Sequence, residues 1–347
     1  MPVVRPERLH PLAVALYEHA GVSAGDARVV ADHQIDANLA GHDSHGIHLL
    51  PTYLDRIGKG HIVPGAPIEV LDETPTTARV DGHWGFGQVV STRATELAIG
   101  KARQQRVGIV SVFRQSHVGR LGDYPLMAAR QGLVGVMMCD SGRAPKQVAP
   151  FGGREARLGT NPLSIAFPSD LEAPVLIDMA TSAVAGGKLL VAHARREPIP
   201  PGWLLDREGR ATTNPADFLA GGAMLPLGGP QGYKGSALSF AVETLAAVLP
   251  GLGFGVDPTG RHNDGAFILV FDPGAFRPLA EFKAEVAAFA RYVKATPPAE
   301  GFTEVLYPGE IEHRTAERRR REGIPVEDET WGKLVALARA AGLEHLL

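Results

Sequence analysis

The sequence predicts an α/β fold in which a sheet is covered by helices, with further helices contributed by both ends of the chain. Three observations support this prediction. Between about residues 68 and 273, short β-type runs bounded by turn residues alternate with segments of helical periodicity. Both flanking regions have apolar residues at helical spacing. At 347 residues the chain is long enough for more than one core.

Two helices are expected before residue 40. Apolar residues recur at helical spacing in LHPLAVALYEHAGV and again in SAGDARVVADHQIDANL. In the second segment Ser23 and Asp26 resemble a capping box, with Asp in place of the usual Glu or Gln. The stretch YLDRIGKGHIVPGAP then indicates the end of a helix followed by turns rich in Gly and Pro.

The middle of the chain carries the expected strands, which are IEVLDET, TARVDGH, VGIVSVF, LVGVMMCD, LSIAFPS, PVLIDMA and FILVFDP. The expected helices among and after them are GQVVSTRATELAIGKARQQ, GDYPLMAARQG, GSALSFAVETLAAVLPG, LAEFKAEVAAFARYVKAT and EHRTAERRRREG. We therefore predict a discontinuous helical domain from 1–72 and 278–347. An α/β domain from 73–277 would carry an inserted subdomain at roughly 142–230.

Composition excludes several classes of protein. The net charge of −3 gives no electrostatic reason to expect nucleic acid or an anionic membrane as a partner. No segment reaches the roughly 18 apolar residues of a membrane span, and no signal peptide is recognisable, so a cytoplasmic location is expected. The single cysteine, Cys139, excludes an intramolecular disulfide framework and a Cys-rich zinc site.

A histidine cluster in ANLAGHDSHGIHLL is the first candidate for chemistry. On a helix, His42, His45 and His48 would lie roughly on one face, and three imidazoles can bind zinc. Two glycines weaken such a helix, and the usual metal spacing with a glutamate base is absent. The open alternatives are a metal site, a catalytic or substrate-facing His45, and histidines that only cap or cover the surface. Ser44 lacks the G-x-S-x-G elbow of a hydrolase nucleophile.

Four further segments rich in glycine also stand where strands meet helices: RQSHVGRLGDY, FGGREARLGTNPLSIAFP, LIDMATSAVAGGKLL and PLGGPQGYKGSALS. Such junctions suit contact with an anion or cofactor, although turn glycines also serve structure alone. Together the five segments predict a large cleft for an extended anionic ligand. Neither G-x-G-x-x-G nor G-x-x-x-x-G-K-[ST] occurs, so a dinucleotide would bind without the Rossmann fingerprint.

The order of these motifs resembles the malate/L-lactate dehydrogenase family of the non-Rossmann type. The motifs are GHDSHGI, SHVGRLGDY, FGGREARLGTNPLSIAFP, IDMATSAVAGGK, GWLLDREGRATTNP, GGPQGYKGSAL and LYPGE, and they run nearly end to end. The stretch VADHQIDANLAGHDSHGI is most similar to the hydroxycarboxylate dehydrogenase B branch. The resemblance implies a homodimer whose mixed, non-Rossmann sheet binds NADH or NADPH, with the terminal helices forming a second domain.

The resemblance also implies catalytic residues. His45 matches the family's proton donor to the substrate carbonyl, with Ser44 beside it as a relay or orienting partner. This role is chemically sensible, because a histidine titrating near neutrality can protonate the alkoxide that hydride transfer creates. His117 matches the acid/base of ureidoglycolate-type members, so both histidines are candidates, with His45 ranked first. The aspartate that completes a Ser-His relay in some members is not placed.

Substrate and cofactor contacts follow in the same way. Many members have an arginine that clamps the substrate carboxylate where this chain has Leu49, and Arg120 in the GRxG turn is the proposed bidentate substitute. Thr160 matches a substrate contact of imino-acid reductases. The positions that match cofactor contacts are Val118, Gly119, Leu121, Gly122, Ser141, Asp178, Met179, Ala180, Tyr233, Lys234, Pro308, Gly309 and Glu310.

The predicted function is NADH- or NADPH-dependent reduction of 2-oxo acids, equivalently oxidation of 2-hydroxy acids, without a metal. One alternative within the same fold is an NADPH-dependent reductase of cyclic imino acids, and another is a ureidoglycolate- or sulfolactate-type dehydrogenase. The alternative from a different class is a metal-dependent hydrolase built on the histidine cluster.

Overall fold

The computed structural model describes residues 1–140, 143–257 and 259–347. The helices in these ranges are α1 Pro6–His19, α2 Ala24–Leu39, α3 Leu50–Gly58, α4 Gly87–Gln105, α5 Asp123–Ala129, α6 Gly186–Arg195, α7 Ala216–Leu219, α8 Tyr233–Glu243, α9 Leu279–Lys294, α10 Glu310–Glu322 and α11 Asp328–Ala340. The strands are β1 Val3–Val4, β2 Glu69–Glu73, β3 Thr77–Gly85, β4 Val107–Gln115, β5 Val134–Cys139, β6 Leu163–Phe167, β7 Val175–Met179, β8 Leu204–Leu205, β9 Ala211–Thr212, β10 Ala223–Met224, β11 Asp264–Phe271 and β12 Ile324–Pro325. None of the helices described here has the length and apolar character needed to cross a membrane.

A seven-stranded mixed sheet forms the centre of the molecule, in the order β2-β3-β4-β11-β5-β6-β7. Only β3 and β4 run parallel; the other neighbours in this sheet are antiparallel. This order differs from the parallel sheet of a Rossmann domain. The predicted α/β class with a mixed sheet is therefore confirmed, and each of the seven expected β-type runs overlaps a strand of this sheet.

Helix α4 packs closely on the parallel strand pair. Its buried positions include Val90, Ala94 and Ala98, which repeat every four residues and therefore lie on one face. A Cβ at Gly108 of β4 would lie 2.1 Å from the carbonyl oxygen of Ala98, so glycine at this position permits the close approach of helix and strand.

Both ends of the chain contribute to one apolar cluster. Its buried members lie in two parts of the chain, between Val4 and Phe86 and near the C-terminus, where they include Ile324 and Leu334. Strand β1 pairs with β12. The predicted N-terminal cap of α2 is present, because Ser23 Oγ accepts from the backbone N–H of Asp26 at 3.2 Å. The bounds 1–72 and 278–347 of a helical domain stay a prediction.

A smaller sheet, β10-β8-β9, lies within the range 142–230 that was predicted as an insertion. Its apolar cluster includes Val148, Leu189, Leu204 and Met224. Strands β6 and β7 fall in the same range of sequence but belong to the central sheet. An insertion here would therefore be interrupted by two strands of the main sheet, and its bounds stay a prediction.

The helix expected over 235–251 is not regular throughout. The α-helix ends at Glu243, and Thr244–Val248 forms a π-helical turn. Thr244 Oγ1 donates to the carbonyl oxygen of Phe240 at 2.8 Å, and such bonds to the preceding turn bend helices. Gly265 of β11 approaches this turn so closely that a Cβ would lie 1.9 Å from the carbonyl oxygen of Ala246.

Candidate active site

The loop that carries His45, residues 43–49 and termed the histidine loop, is held by the side chain of Asn38 in α2. The loop consists of two short 3-10 turns on either side of Gly46, not the continuous helix considered for the three histidines. Asn38 Oδ1 accepts from the backbone N–H of Ile47 at 2.8 Å, and Nδ2 donates to Asp43 Oδ1 at 2.7 Å. A Cβ at Gly46 would lie 2.2 Å from Asn38 Oδ1, so glycine lets the loop close onto this amide.

Helix α10 from the C-terminal part of the chain braces the same loop. Arg319 forms two bonds to the Asp43 carboxylate, at 2.6 and 3.0 Å, and also donates to the carbonyl oxygen of Asn38. His42 Nε2 lies 3.5 Å from Glu312 Oε1. The position of His45 therefore depends on contacts between segments far apart in sequence.

His45 itself is half-buried and contacts Ser44 and His117. Its Nδ1 lies 2.9 Å from Ser44 Oγ, and its ring stacks on that of His117 with centroids 5.7 Å apart and an interplanar angle of 23°. Burial, followed by the charge of His42, lowers the pKa of His45 to about 4. In the ligand-free protein at neutral pH, His45 is therefore an uncharged imidazole.

His117 follows the end of β4 and is held through Nδ1. The Tyr53 hydroxyl lies 2.7 Å from this atom, and the backbone N–H of Gly119 donates to it at 3.3 Å. Because a backbone N–H can only donate, Nδ1 of neutral His117 is unprotonated and the ring carries its proton on Nε2. Burial, followed by the charge of His262, lowers the pKa of His117 well below its usual range.

The structure adds a third histidine that sequence reasoning missed. The rings of His262 and His117 are 5.5 Å apart at an angle of 71°, and His262 Nε2 lies 2.5 Å from Asp264 Oδ1. Asp264 Oδ2 accepts from the backbone N–H of Val118 at 3.0 Å. The only signal in the sequence is a His and an Asp two residues apart before a strand. Their proximity to His117 follows from the antiparallel pairing that sets Asp264 opposite Gln115.

The turn after His117 contains the predicted cofactor contacts Val118, Gly119, Leu121 and Gly122. Gly119 has φ 75°, and a Cβ there would lie 2.5 Å from His33 Nε2, so both conformation and space favour glycine. The backbone N–H of Gly122 donates to Asp178 Oδ2 at 3.1 Å. The turn and the end of β7 are therefore brought together.

Arg120, the proposed substrate partner, is buried and already shares its charge with two carboxylates. Its Nη1 donates to Asp123 Oδ1 at 3.0 Å, and its Nε lies 3.5 Å from Asp178 Oδ2. Burial raises the pKa of Asp123 and of Asp178, while the Arg120 charge acts in the opposite direction on both. A substrate carboxylate at Arg120 would therefore compete with two carboxylates of the protein.

The other glycine-rich segments are linked by backbone contacts. The carbonyl oxygen of Thr160 accepts from the N–H of Thr181 at 2.9 Å, and the N–H of Leu227 donates to the carbonyl oxygen of Thr181 at 2.9 Å. A Cβ at Gly187 would lie 3.6 Å from the Ser44 Cβ, so the start of α6 lies against the histidine loop. These contacts bring Thr160 and the segments 176–190 and 226–239 into one region.

The remaining predicted site residues lie at three places. Leu49 is half-buried and packs against the apolar cluster formed by both chain ends. Tyr233 and Lys234 are exposed at the start of α8, and the Tyr233 ring contacts that of Phe151 with centroids 6.0 Å apart. Met179 and Ala180 are half-buried at the end of β7. Ser141 lies outside the described residues.

The segment Pro308–Glu310 lies against β7. The carbonyl oxygen of Pro308 accepts from the N–H of Leu176 at 3.1 Å, and a Cβ at Gly309 would lie 2.3 Å from the carbonyl oxygen of Pro174. The Glu310 carboxylate pairs with Lys294 and Arg314. It also lines a cavity of about 450 Å³. The predicted contact at Glu310 would thus involve a carboxylate already neutralised by two cations.

The histidines of the proposed metal cluster have separate partners. Among the described residues, no group of three or more His, Cys, Asp or Glu side chains is arranged to hold a metal ion. His42 faces Glu312, His45 faces Ser44 and His117, and His48 is exposed. The two 3-10 turns do not present the three imidazoles as one set of ligands.

Comparison with known proteins places the whole chain among dehydrogenases. It is 37% identical over 347 residues to L-sulfolactate dehydrogenase of Methanocaldococcus jannaschii, covering 98% of both chains. It is 35% identical to hydroxycarboxylate dehydrogenase B of Escherichia coli K12, covering 97% of this chain and 94% of that protein.

Solved structures of similar proteins agree with this comparison of sequences. The crystal structure of malate dehydrogenase from Entamoeba histolytica superposes with a TM-score of 0.94 at 30% identity, covering 98% of each chain. That of delta1-piperideine-2-carboxylate reductase from Pseudomonas syringae pvar. tomato superposes with a TM-score of 0.85 at 31% identity, covering 97% of this chain and all of that one. The model of the family described as malate/L-lactate dehydrogenase matches residues 4–335. The chain therefore belongs to the malate/L-lactate dehydrogenase family.

Proposed function

We propose that this protein transfers hydride between a nicotinamide cofactor and a 2-oxo or 2-hydroxy acid. The observation that carries the proposal is the stacked pair of His45 and His117. It lies where the histidine loop, the turn after β4 and the start of α6 converge. Membership of the family and the names of the relatives, which include malate, sulfolactate and hydroxycarboxylate dehydrogenases, support the substrate class.

His45 is proposed to exchange the proton with the substrate oxygen. Oxidation of a hydroxyl needs an unprotonated base, and the low pKa of His45 provides one at neutral pH. Reduction of a carbonyl needs the protonated form, which an anionic substrate beside the ring would favour. Ser44 Oγ can donate to or accept from Nδ1 as the ring changes state. His117 would donate from Nε2 to the substrate.

Dehydrogenases of this family use nicotinamide cofactors, and the chemistry of this site suits one. Ser116 Oγ and Asn263 Oδ1 are buried, lie next in sequence to His117 and His262, and have no hydrogen-bond partner in the described part of the chain. These two oxygens could form hydrogen bonds with the carboxamide group of a nicotinamide ring. The start of α8 with Lys234 offers positive charge to phosphates. When bound, the nicotinamide would supply or accept the hydride.

The proposed residues around NADH or NADPH are the positions carried over from the family, namely Val118, Gly119, Leu121, Gly122, Ser141, Asp178, Met179, Ala180, Tyr233, Lys234, Pro308, Gly309 and Glu310. Arg120, Thr160 and Leu49 are the corresponding proposals for the substrate.

A homodimer is part of the proposal. Large apolar side chains are exposed on α8 and α9, with Phe240 at 70%, Phe289 at 66% and Tyr292 at 77% exposure. Exposed aromatic residues in this number are typical of a surface that another chain covers. The cytoplasmic location expected from the sequence stays a prediction.

A panel of 2-oxo acids and cyclic imino acids, assayed by absorbance with NADH and with NADPH, tests the proposal. We expect turnover with at least one 2-oxo acid, a higher melting temperature with cofactor, and no effect of EDTA or added zinc. The panel includes imino acids because of the structural likeness to delta1-piperideine-2-carboxylate reductase. Turnover of imino acids alone would favour that second function, and a zinc-dependent hydrolysis would overturn both.

A further inference from the structure

Arg56 lies on α3, one helical turn after Tyr53. Residues three apart share a face of a helix, and the Tyr53 hydroxyl lies 2.7 Å from His117 Nδ1. The backbone at Arg56 is fixed, because its carbonyl oxygen accepts from the N–H groups of His61 and Ile62 at 2.8 and 3.1 Å. The helix therefore holds Arg56 at a defined place beside the stacked histidines.

Among the described residues, the guanidinium of Arg56 differs from those of the other arginines near the site because it forms no ion pair and no stacking contact. Arg120 is paired with two carboxylates, Arg319 is paired with Asp43, and Arg261 stacks on Trp84. Arg56 is half-buried, and its Nη1 is buried with no hydrogen-bond partner among the described residues. An uncompensated buried donor on a charged group is costly, so an anion that pairs with it would bind favourably.

The charge of Arg56 also reaches the candidate catalytic groups. It is among the causes that lower the pKa of His117, after burial and the charges of His262 and His45, and it acts in the same direction on Tyr53. The other groups that face His117 are the Tyr53 hydroxyl and the ring of His33. An anion held by Arg56 would therefore lie near the reacting centre.

We propose that Arg56 binds the carboxylate of the acid substrate. This inference rests on the proposed function and deepens it, since every 2-oxo acid needs a cation in the cleft and Leu49 cannot provide one. The geometry favours Arg56 because no ion pair to its guanidinium is found in the described ranges of the chain, whereas the charge of Arg120 is shared with Asp123 and Asp178. The planar guanidinium can form two parallel bonds to a carboxylate.

The test compares an acid substrate with its uncharged ester, pyruvate and methyl pyruvate, in wild type, Arg56→Gln, Arg56→Lys and Arg28→Gln. Arg28 is an exposed arginine of α2 and serves as the control for lost charge. We expect Arg56→Gln to lower kcat/KM for pyruvate by about 10²-fold, mainly through KM, and to leave methyl pyruvate nearly unchanged. Arg56→Lys should be intermediate and Arg28→Gln should equal wild type.

Equal losses with acid and ester would show that Arg56 only supports the fold, and no loss with either would show that the carboxylate is held elsewhere. Both results overturn the proposal. If Arg56→Gln fails to fold, Arg56→Lys decides by the same comparison. Leu49→Arg, which restores the arginine of other family members, should recover part of the activity of Arg56→Gln with pyruvate.

Two measurements separate this inference from the proposed function. In ligand-free protein, the pKa of His117 followed by NMR should rise in Arg56→Gln and stay at the wild-type value in Arg28→Gln. Oxamate, an unreactive carboxylate analogue, should bind the wild type with NADH present and bind Arg56→Gln about 10²-fold more weakly by calorimetry. If the wild type turns over no 2-oxo acid, the proposed function fails, and oxamate binding alone decides the role of Arg56.

Discussion

His45 and His117 stack on each other but are held in different ways. Nδ1 of His117 accepts from a backbone N–H, which fixes its neutral tautomer, whereas Nδ1 of His45 faces a hydroxyl that can rotate. A group that must gain and lose a proton needs a partner that can accept a hydrogen bond in one protonation state and donate one in the other. His45 is therefore better suited to proton transfer and His117 to donating a hydrogen bond.

Replacing His45 tests this difference at the level of one residue. Because His45→Ala and His45→Asn remove the proposed proton donor, each should lower kcat by about 10²–10⁴-fold. Cofactor affinity, measured by nicotinamide fluorescence, should stay close to wild type. His117→Gln keeps a donor near the position of Nε2 and should be more active than His117→Ala. If His117→Gln is as slow as His117→Ala while His45→Ala is active, the two assignments must be exchanged.

The low pKa of His45, about 4, predicts opposite pH dependence for the two directions of reaction. Reduction uses protonated His45, so kcat/KM for a 2-oxo acid should fall as pH rises above this pKa. Oxidation uses neutral His45, so kcat/KM for the 2-hydroxy acid should rise through the same pKa and then level off. Bound anions raise the pKa and shift both curves to higher pH without changing their sign. Reduction that accelerates with rising pH would contradict the assignment of His45.

Arg120 connects the site to the stability of the fold. Arg120→Ala would leave Asp123 and Asp178 without their cation, so we expect a loss of about 3–5 kcal/mol in the free energy of unfolding together with a lower kcat/KM. Arg120→Lys should recover only part of the free energy of unfolding and only part of kcat/KM, because lysine lacks the planar guanidinium that can bond two oxygens at once. The deficit should grow as pH rises, because both carboxyls then ionise without the Arg120 cation beside them. A urea-unfolding deficit that is independent of pH would show that the ion pairs contribute little.

At the level of elements, the histidine loop is held in place by contacts with two helices. Asn38 of α2 fills the inside of the loop, and Arg319 of α10 pairs with Asp43 on the outside. The loop lacks a regular helix of its own, so these side-chain contacts replace the hydrogen bonds that a helix would supply.

Gly46→Ala is the change that disturbs this loop most selectively. Its new methyl group would overlap the Asn38 amide and break the bond from Ile47, at a cost of about 1–3 kcal/mol. We expect a lower melting temperature and a lower kcat with the cofactor still bound. Gly25→Ala in α2, where no atom lies within 4 Å of the new Cβ, is the matched control and should be neutral or stabilising. If the two variants have the same melting temperature and the same kcat, the loop accommodates the new methyl group without moving His45.

The strands of the central sheet and most of the long helices could be predicted from the sequence because each depends on local pattern, whereas the two-residue strands and the helices α6 and α7 were not among the expected elements. The seven β-type runs and the cap at Ser23 follow from periodicity and residue type alone. The π-helical turn after Glu243 was not predicted, and it packs against Gly265 of β11, a contact that the local sequence pattern does not show. His262 was not predicted as a site residue because its contact with His117 depends on the pairing of two strands that are distant in sequence. The motifs indicated which side chains matter, but the partners of Arg120 are set by tertiary contacts.

At the level of the whole molecule, the candidate site joins parts of the chain that are distant in sequence. The loop with His45 packs with the apolar cluster formed by both ends, whereas His117 and His262 belong to the central sheet. The Tyr53–His117 bond and the stacking of His45 on His117 connect these two parts. A reaction at this junction would therefore depend on how the terminal helices sit on the sheet.

The most direct test of the proposed reaction is to follow the hydride itself. NADH or NADPH deuterated at C4 of the nicotinamide ring, on the face that transfers, is incubated with the protein and the best 2-oxo acid of the panel. We expect the 2-hydroxy acid to carry one deuterium at C2, detected by mass spectrometry and proton NMR, and His45→Ala to slow its formation by about 10²–10⁴-fold. A product with hydrogen at C2 after use of cofactor deuterated on either face, or formation of product without cofactor, would contradict hydride transfer at this site.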